Sequence, residues 1–436
     1  MNIIYPPRNL QWSSWQKIAF RFFFIYILLY IAPWTWISDI PGTDYVLKYY
    51  SQFMDWLVNW GNSKLFHVRE VLVPFNGSGD TSYGWAQLLT FISLALIGCM
   101  VWSIADRKRS NYNHLSYWLC LFTRYNLILF CFLYGIDKLF LLQMPFPNYS
   151  QLATPLGDFL PMRLSWMFMG YSGPYQLFAG LMEVFAGILL LFRRTATFGT
   201  IVATGVFINV IMMNLSYDIP VKLFSTNLVV LCLFLLANDH KRIITFFVMN
   251  KPSASCSLYD ISFTKKWMRI SRVFLKIAFI GLFVFLQGYN MYGFYKQRNK
   301  PMEVKLINPG VYNVNIFAIN QDTLPPLLTD TLRWQDMIFE KDGQGSINTM
   351  DTSFRRRYRR AYFNYEPDTV KHIIGIKKFS GDSVNLIAFN YLLSDSNTIR
   401  LWGKLRSDSL YVELKRSKRH FQLAEKQFHW LSESNR

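Results

Sequence analysis

Charged residues are scarce in this sequence, and their scarcity excludes an ordinary soluble globular protein. Asp, Glu, Lys and Arg make up 17% of the 436 residues, whereas about a quarter is usual in soluble domains. Hydrophobic residues reach 52% and aromatic residues 18%. The apolar residues lie in long runs without the alternation of a strand, which predicts helices that cross a membrane.

Cysteine and histidine are also few, at five and six residues. Cys256 falls in a loop and the other cysteines fall in apolar runs, so the sequence predicts no disulfide framework, CxxC redox pair or haem attachment. His67 and His114 are expected on opposite sides of the membrane, and His429 lies in the distant tail. No metal site and no nucleophilic triad are predicted, and no catalytic residue is assigned.

Seven apolar runs reach about 18 residues, the length that a helix needs to cross a bilayer. They cover roughly 18–36, 86–104, 117–142, 175–192, 196–214, 221–238 and 272–290. The first is expected to be a retained span, because it is long and has no small-residue cleavage site. Between the first two runs, segment 45–66 places aromatic residues at helical spacing, which predicts an amphipathic helix at the outer interface. NGSGDT (76–81) predicts a turn that caps the second span through Asp80 or Thr81.

The net charge of +19 is explained by topology rather than by nucleic acid. Basic residues cluster before the first span, after the second and fourth, and between the sixth and seventh, whereas loops 37–85 and 144–174 lack this excess. The positive-inside rule then places the N-terminus in the cytoplasm and everything after Asn290 outside. No nucleic-acid partner is predicted.

After Met302 the pattern changes to short alternating segments, at 311–319, 384–393, 398–405 and 409–416. Such segments, separated by Gly, Asp, Asn and Ser, predict an antiparallel all-β domain, either a barrel or a sandwich. The basic run FRRRYRR (354–360) in this domain has two interpretations: a solvated loop, or a contact with anionic headgroups or with the outer face of the bundle.

Polar side chains fall at one depth in four of the predicted spans. Counted from the outer end of each span at 1.5 Å per residue, six groups lie in the outer half of the bilayer: Tyr134, Asp137, Lys138, Glu183, Asn209 and Asn227. We predict that Lys138 pairs with Glu183, since Glu183 is too deep and too short to reach water. Lys138 alone could instead extend to the interface, and the asparagines could serve only as hydrogen bonds between helices. The six residues are the candidate ligand-binding site.

Three segments resemble the DoxX-like bacterial membrane proteins: FLYGIDKLFLLQMPFP (132–147), WMFMGYSGPYQLFAGLMEVFAGILLLFRRTATFGT (166–200) and INVIMMNLSYDIPVKLFSTNL (208–228). The resemblance covers about 117–240 and implies a four-helix DoxX-like core. The wider group includes a subunit of a thiosulfate:quinone oxidoreductase. Segments 325–334 and 428–436 resemble the lipocalin-like C-terminal extension of some of these proteins. The layout is also similar to that of vitamin-K-dependent carboxylase-type membrane proteins.

The predicted fold is therefore an α-helical transmembrane bundle followed by an antiparallel all-β domain. Four parts are expected. They are a transmembrane hairpin with an outer interfacial helix (1–116), the DoxX-like core (117–240), a cytoplasmic linker with the last span (241–300), and an extracytoplasmic β-domain (301–436).

The function expected from these features is that of a multi-pass inner-membrane protein. It would hold an amphiphile, a quinone or a lipid, in an outer-leaflet polar pocket, while its β-domain binds the ligand or a membrane or periplasmic protein partner. Two alternatives stay open: a quinone-linked oxidoreductase component, and a structural or assembly protein. No cofactor is assigned, and a quinone is the candidate.

Overall fold

The computed structural model describes residues 11–38, 42–253, 265–300, 306–327, 332–351, 354–425, 430–431 and 433. The chain divides into two compact units. The helical unit comprises Met1–Met144 and Ser172–Arg298, and the second unit comprises Pro145–Tyr171 and Asn299–Arg436. Cys256 and most of segment 428–436 lie outside the described residues.

The described α-helices alternate with short turns along the first 298 residues. They are α1 (Ser14–Ile31), α2 (Asp44–Gly61), α3 (Ser82–Ala105), α4 (Asn113–Leu139), α5 (Tyr149–Ala153), α6 (Pro161–Tyr171), α7 (Gly173–Leu191), α8 (Ala196–Ser216), α9 (Lys222–Asn238), α10 (His240–Ile243), α11 (Lys266–Ile280) and α12 (Gln287–Arg298). A π-helical segment, Gly281–Leu286, joins α11 to α12.

Six helical segments among the described residues are long and apolar enough to cross a membrane: Ser14–Trp36, Ser82–Ala105, Asn113–Leu139, Gly173–Leu191, Ala196–Ser216 and Lys266–Arg298. They match six of the seven predicted runs. The seventh run, 221–238, forms α9, which is followed by His240–Val248 after a bend of 75°. That bent pair passes the same test only when its two helices are taken together.

The connection before α3 agrees with the sequence pattern. Helix α2 exposes the aromatic side chains of Tyr45, Tyr49, Phe53, Trp56 and Trp60 on one face. Thr81 is the N-cap of α3, and its side chain accepts a hydrogen bond from the Gly84 N–H. Asp80 instead accepts hydrogen bonds from the first N–H groups of α9, at Lys222 and Leu223.

Helices α4, α7, α8 and α9 pack in a ring, because α4 contacts both α7 and α9, and α8 lies between α7 and α9. Helix α1 packs on α3 and on α4. The shared core is apolar and fully buried at positions such as Ile27, Leu127, Ala186, Ala203 and Leu231. Helices α4, α7, α8 and α9 therefore form a four-helix group, and α1 packs against its side.

The second unit contains an antiparallel sheet of ten described strands. They are β1 (Gly310–Ile319), β2 (Asp322–Thr323), β3 (Asp336–Phe339), β4 (Gln344–Asn348), β5 (Arg355–Arg357), β6 (Arg360–Asp368), β7 (Ile373–Lys377), β8 (Ile387–Leu393), β9 (Thr398–Leu405) and β10 (Asp408–Arg416).

Eight of these strands close into a barrel in the order β1-β3-β4-β6-β7-β8-β9-β10, because β10 pairs back onto β1. Strand β2 extends the edge of β1, and β5 pairs with β6. Closure leaves no long unpaired edge. Of the two predicted forms, barrel and sandwich, the structure forms the barrel, and the four alternating segments predicted from the sequence become β1, β8, β9 and β10.

The barrel interior is filled by large side chains. Tyr312, Phe317, Trp334, Phe339 and Phe389 are each at most 1% exposed. Their rings contact one another edge-on or tilted, as between Phe317 and Trp334 at 5.5 Å, a geometry that aromatic pairs favour. The alternation that predicts the strands thus builds a packed core.

Segment 145–171 belongs to the barrel unit, although the sequence suggests a simple loop between two spans. Helix α5 packs on β1 and β3. Glu340, directly after β3, accepts hydrogen bonds from the Ser150 N–H at 2.7 Å, the Ser150 hydroxyl at 2.8 Å and the Tyr149 N–H at 3.3 Å. The Ser346 hydroxyl bonds that of Ser150 at 2.8 Å and accepts from Arg360 Nε at 2.8 Å.

Part of the basic run 354–360 serves this contact. The solvated-loop interpretation is wrong for Arg360, whereas the Arg359 side chain stays 74% exposed. Arg360 is 2% exposed and pairs with Asp336. Arg359 pairs with Asp158 of the segment 145–171 at 3.1 Å. A buried arginine needs such a carboxylate, because an unpaired charge in the interior is costly.

Glu340 should make the attachment of segment 145–171 depend on pH. Burial raises the pKa of the Glu340 carboxyl, and hydrogen bonds from Ser150 oppose part of that rise. A raised pKa favours the protonated acid in the folded state, so stability falls as pH rises from about 4.3 through the folded pKa. Compared with the non-titrating Glu340→Gln variant, the wild type should gain hydrogen-exchange protection at 149–153 as pH is lowered through that window.

Hydrogen exchange in β8 and β9, on the other side of the barrel, is the internal control and should not differ between the wild type and Glu340→Gln. An equal pH response in the wild type and in Glu340→Gln would contradict the assignment.

Candidate functional site

Helices α4 and α7 approach closely because each has a glycine at the contact. A Cβ on Gly180 would lie 2.8 Å from the Gly135 carbonyl oxygen and 2.8 Å from Lys138 Cβ. A Cβ on Gly135 would lie 2.8 Å from a Val184 methyl group. All three distances are shorter than real Cβ contacts allow, so the close crossing depends on glycine on both helices.

The glycine crossing brings Lys138 of α4 against Glu183 of α7. Lys138 Nζ lies 2.8 Å from Oε1 and 2.7 Å from Oε2 of Glu183. Lys138 is 6% exposed and Glu183 is 3% exposed. The pairing predicted from the sequence is therefore confirmed, and Lys138 does not extend to the interface. Because both carboxylate oxygens accept from one ammonium, the charges neutralise each other where water is excluded.

Tyr134 of α4 lies beside this pair, and further tyrosines lead from it towards α1. The Tyr134 ring centroid is 5.8 Å from Lys138 Nζ. Tyr30 is within electrostatic range of both Tyr134 and Tyr26, and the Tyr26 hydroxyl donates a hydrogen bond to Asn227 of α9. Phe130 and Phe224 meet edge-on at 4.8 Å between ring centroids, and both rings contact that of Tyr134.

Asp137, the charged neighbour of Lys138, serves a different helix. Its carboxylate accepts a hydrogen bond from Gln287 Nε2 of α12 at 3.1 Å. Consecutive residues on a helix point about 100° apart, so Asp137 cannot share the face of Lys138. The two adjacent charges in FLYGIDKLF therefore tie α4 to two other helices, α7 and α12.

Asn209 is not brought into this group. It lies on the exposed side of α8, while Asn214 is the buried amide of that helix and donates to the Ser225 hydroxyl at 2.9 Å. Five residues turn a helix by about 140° beyond one full turn, so the two amides face different surroundings. The prediction for Asn209 rested on depth alone, and depth does not specify the face.

Sequence reasoning missed three polar groups of this region. Tyr26 and Tyr30 are four residues apart and thus lie on one face of α1. Gln176, 1% exposed, holds the end of α4 through Met144, accepting from its N–H at 3.1 Å and donating to its carbonyl at 3.2 Å. The sequence does contain a signal for Tyr26 and Tyr30, because two hydroxyl groups four residues apart in an apolar run lie on one helix face.

Comparisons with known proteins leave the family open. No family model matches the chain, and no solved structure gives a significant match. The chain is similar to the uncharacterized protein YwoB of Bacillus subtilis (strain 168), with 38% identity over 84 residues. That stretch is 19% of this chain and 54% of the relative. The chain thus spans about half the length of the curated relative that it matches.

The ion pair can be tested by a double-mutant cycle. Glu183→Gln and Lys138→Met should each lower the free energy of unfolding by about 3–5 kcal/mol, because each leaves a buried charge unpaired. The double variant should recover part of that loss. The measurement is reversible unfolding in mixed detergent micelles.

Asp218→Asn is the matched control, since Asp218 also pairs at 2.7 Å, with Lys222, but its side chain is 83% exposed. It should change stability by less than about 1 kcal/mol. Additive single effects at 138 and 183 would rule out the coupling.

The glycine crossing gives a second test in the same assay. Gly180→Ala should destabilise by about 1–3 kcal/mol, because the added methyl group forces α4 and α7 apart. Gly205→Ala on α8, where a Cβ would meet nothing within 4 Å, should be neutral or stabilising by up to ~1 kcal/mol. Equal effects at the two glycines would show that α4 and α7 do not depend on this contact.

Proposed function

We propose that the helical unit binds the polar head of an amphiphile, a quinone or a lipid, beside the Lys138–Glu183 pair. The observation that carries this proposal is the burial of both charges among apolar helices. Ionisable residues inside a membrane are expensive, and they commonly mark substrate or proton pathways.

A line of hydroxyl and amide groups that begins at Tyr134 supports a polar headgroup. Tyr134, Tyr30, Tyr26 and Asn227 supply donors and acceptors, and the phenylalanines next to them supply an apolar wall. A small number of polar groups in apolar walls is the usual composition of a ligand site. The carbonyl oxygens of a quinone or the ester and phosphate oxygens of a lipid would accept from these hydroxyls.

The proposal includes seven membrane spans, and the connectivity supports this number. Residues 145–171 and 299–436 belong to one compact unit, so they must lie on one side of the membrane. An even number of crossings must then separate them. α7, α8 and the α11–α12 segment supply three, and α9 supplies the fourth. Its 17 residues rise about 25 Å, near the shortest length that crosses a bilayer.

The distribution of basic residues supports an orientation for these spans. With seven crossings, Arg107–Arg109, Arg193–Arg194 and Lys241–Arg242 share one side, which the positive-inside rule assigns to the cytoplasm. The proposed location is an inner membrane with the N-terminus cytoplasmic and the barrel extracytoplasmic. The DoxX-like resemblance supports a bacterial membrane.

We further propose that the barrel is a partner-binding module. Its closed eight-stranded order resembles that of lipocalins, but its interior is occupied by buried aromatic side chains. This packing favours recognition on the outer surface. An outer groove of about 420 Å³ is lined by a cross-strand row, Asn390, Trp402 and Tyr411, and such exposed aromatic and amide groups suit a protein contact.

A structural role is the second candidate, and the glycine crossing favours it. Lys138 satisfies both oxygens of Glu183 directly beside the glycine contact between α4 and α7. A pair of this kind could lock α4 to α7 without any ligand. A third candidate, a quinone-linked oxidoreductase component, shares the proposed site and differs in the ligand.

Native mass spectrometry of the full chain in mild detergent should show a co-purifying amphiphile. The double variant Lys138→Met/Glu183→Gln should lose it, since both charged groups are removed without leaving one unpaired. Lys296→Met, an exposed lysine on α12, is the control and should keep it.

A bound lipid or quinone supports the binding proposal, and a bound quinone also favours the oxidoreductase component. A wild type that folds without any amphiphile would favour the structural role and contradict the binding proposal.

A further inference from the structure

The outer face of α8 contains an amide that the helical unit does not use. Asn209 is exposed, and no hydrogen bond joins its side chain to the described part of the chain. It precedes Ser216, the last residue of α8, by seven positions, so it lies about 10 Å from that end. Helix α8 is long and apolar enough to cross a membrane. The amide therefore faces hydrocarbon, where an unmade hydrogen bond is costly.

Asn209 belongs to a row of side chains that recur at alternating intervals of three and four residues. The row runs along the outer face of α8 and consists of Phe198, Val202, Gly205, Asn209, Met212 and Ser216. Five of these residues are exposed, and Val202 is half-buried. Their spacing is that of the a and d positions of a heptad, the surface along which one helix packs on another.

Gly205 leaves room for a second helix in the middle of this row. A Cβ at position 205 would meet nothing within 4 Å. A Cβ on Gly199, which faces another side of the same helix, would lie 2.8 Å from Leu189 Cβ of α7. Gly199 is thus used inside the chain, whereas Gly205 is open. A small residue one turn away from a polar one lets two backbones approach until the polar side chains meet.

Complementarity of charge indicates which partner covers the row. An amide has a partly positive NH₂ group that donates and a partly negative oxygen that accepts. An identical amide facing it across a two-fold axis therefore satisfies it in both directions, whereas lipid tails offer neither group. Two copies inserted in one orientation place α8 parallel to α8, so Asn209 can face Asn209. A single asparagine at an a position fixes this register in parallel helix pairs.

We propose that two copies of this chain dimerise through α8, with the row from Phe198 to Ser216 as the seam. The Asn209 amides of the two copies hydrogen-bond to each other, and the two Gly205 residues allow the close approach. The helices cross in the left-handed sense that a seven-residue repeat imposes. Because Lys138 and Glu183 lie between α4 and α7, the seam is a separate surface and goes beyond the proposed ligand binding.

The test is energy transfer between donor-labelled and acceptor-labelled copies of the full chain in phosphatidylcholine liposomes, as lipid dilutes the protein. The wild type should follow the dilution curve of a dimer. Asn209→Leu should weaken dimerisation about tenfold, the effect of one hydrogen-bonded contact between membrane helices. Asn209→Gln keeps the amide and should restore most of the dimer. Asn290→Leu, the same change at an exposed amide of α12, is the matched control and should dimerise like the wild type.

A wild type that stays monomeric would overturn the proposal, since lipid or another membrane protein would then cover the row. Equal dimerisation of the wild type and Asn209→Leu would place the association on another face. Gly205→Leu is the independent check, because a Cβ there meets nothing within 4 Å. This variant should fold yet block the close approach, and an undiminished dimer would also refute the seam. None of these variants touches Lys138 or Glu183, so failure here leaves the amphiphile proposal unaffected.

Discussion

The contact between Lys138 and Glu183 sets the arrangement of the helical unit. Neither charge can be left alone in an apolar interior, because the cost of dehydrating an ion is recovered only by an opposite charge at hydrogen-bond distance. The two side chains can meet only if α4 and α7 approach closely, and Gly135 and Gly180 provide that approach. Glycine in mid-helix is normally a disadvantage. Here it positions the pair, and the remaining helices pack around the crossing.

A second constraint acts on the barrel unit, which is assembled from two separated pieces of chain. Segment 145–171 leaves the bundle between α4 and α7, yet it is bonded to β3 and β4 through Glu340, Ser150 and Ser346. The strands alone could not satisfy the Glu340 carboxylate, since it faces outward from a packed barrel. The segment supplies the donors to that carboxylate.

Several features of this protein followed directly from the order of residues. The six long apolar helices, the exposed aromatic face of α2 and four of the strands obey periodicities that a sequence displays. The pairing of Lys138 with Glu183 followed from their positions and charges, because a carboxylate that cannot reach water needs an opposite charge or a proton. Strands β3, β4, β6 and β7 were missed. They are short, or they begin with a charged residue, as β3 does with Asp336 and β6 with Arg360, and the burial of Arg360 depends on its pairing with Asp336.

Helix length and strand alternation are local properties, so the sequence alone determined the fold class, a helical region followed by an all-β domain. Which face each polar residue occupies, and which helix lies opposite, depends on packing between distant segments. Only the tertiary structure therefore placed Asn209 outside the group, brought Tyr26 and Tyr30 into it, turned Asp137 towards Gln287 and joined residues 145–171 to the barrel. The physical reason is that the direction of a side chain follows from the local helix or strand period. The residue that it contacts depends on how distant segments of the chain pack together.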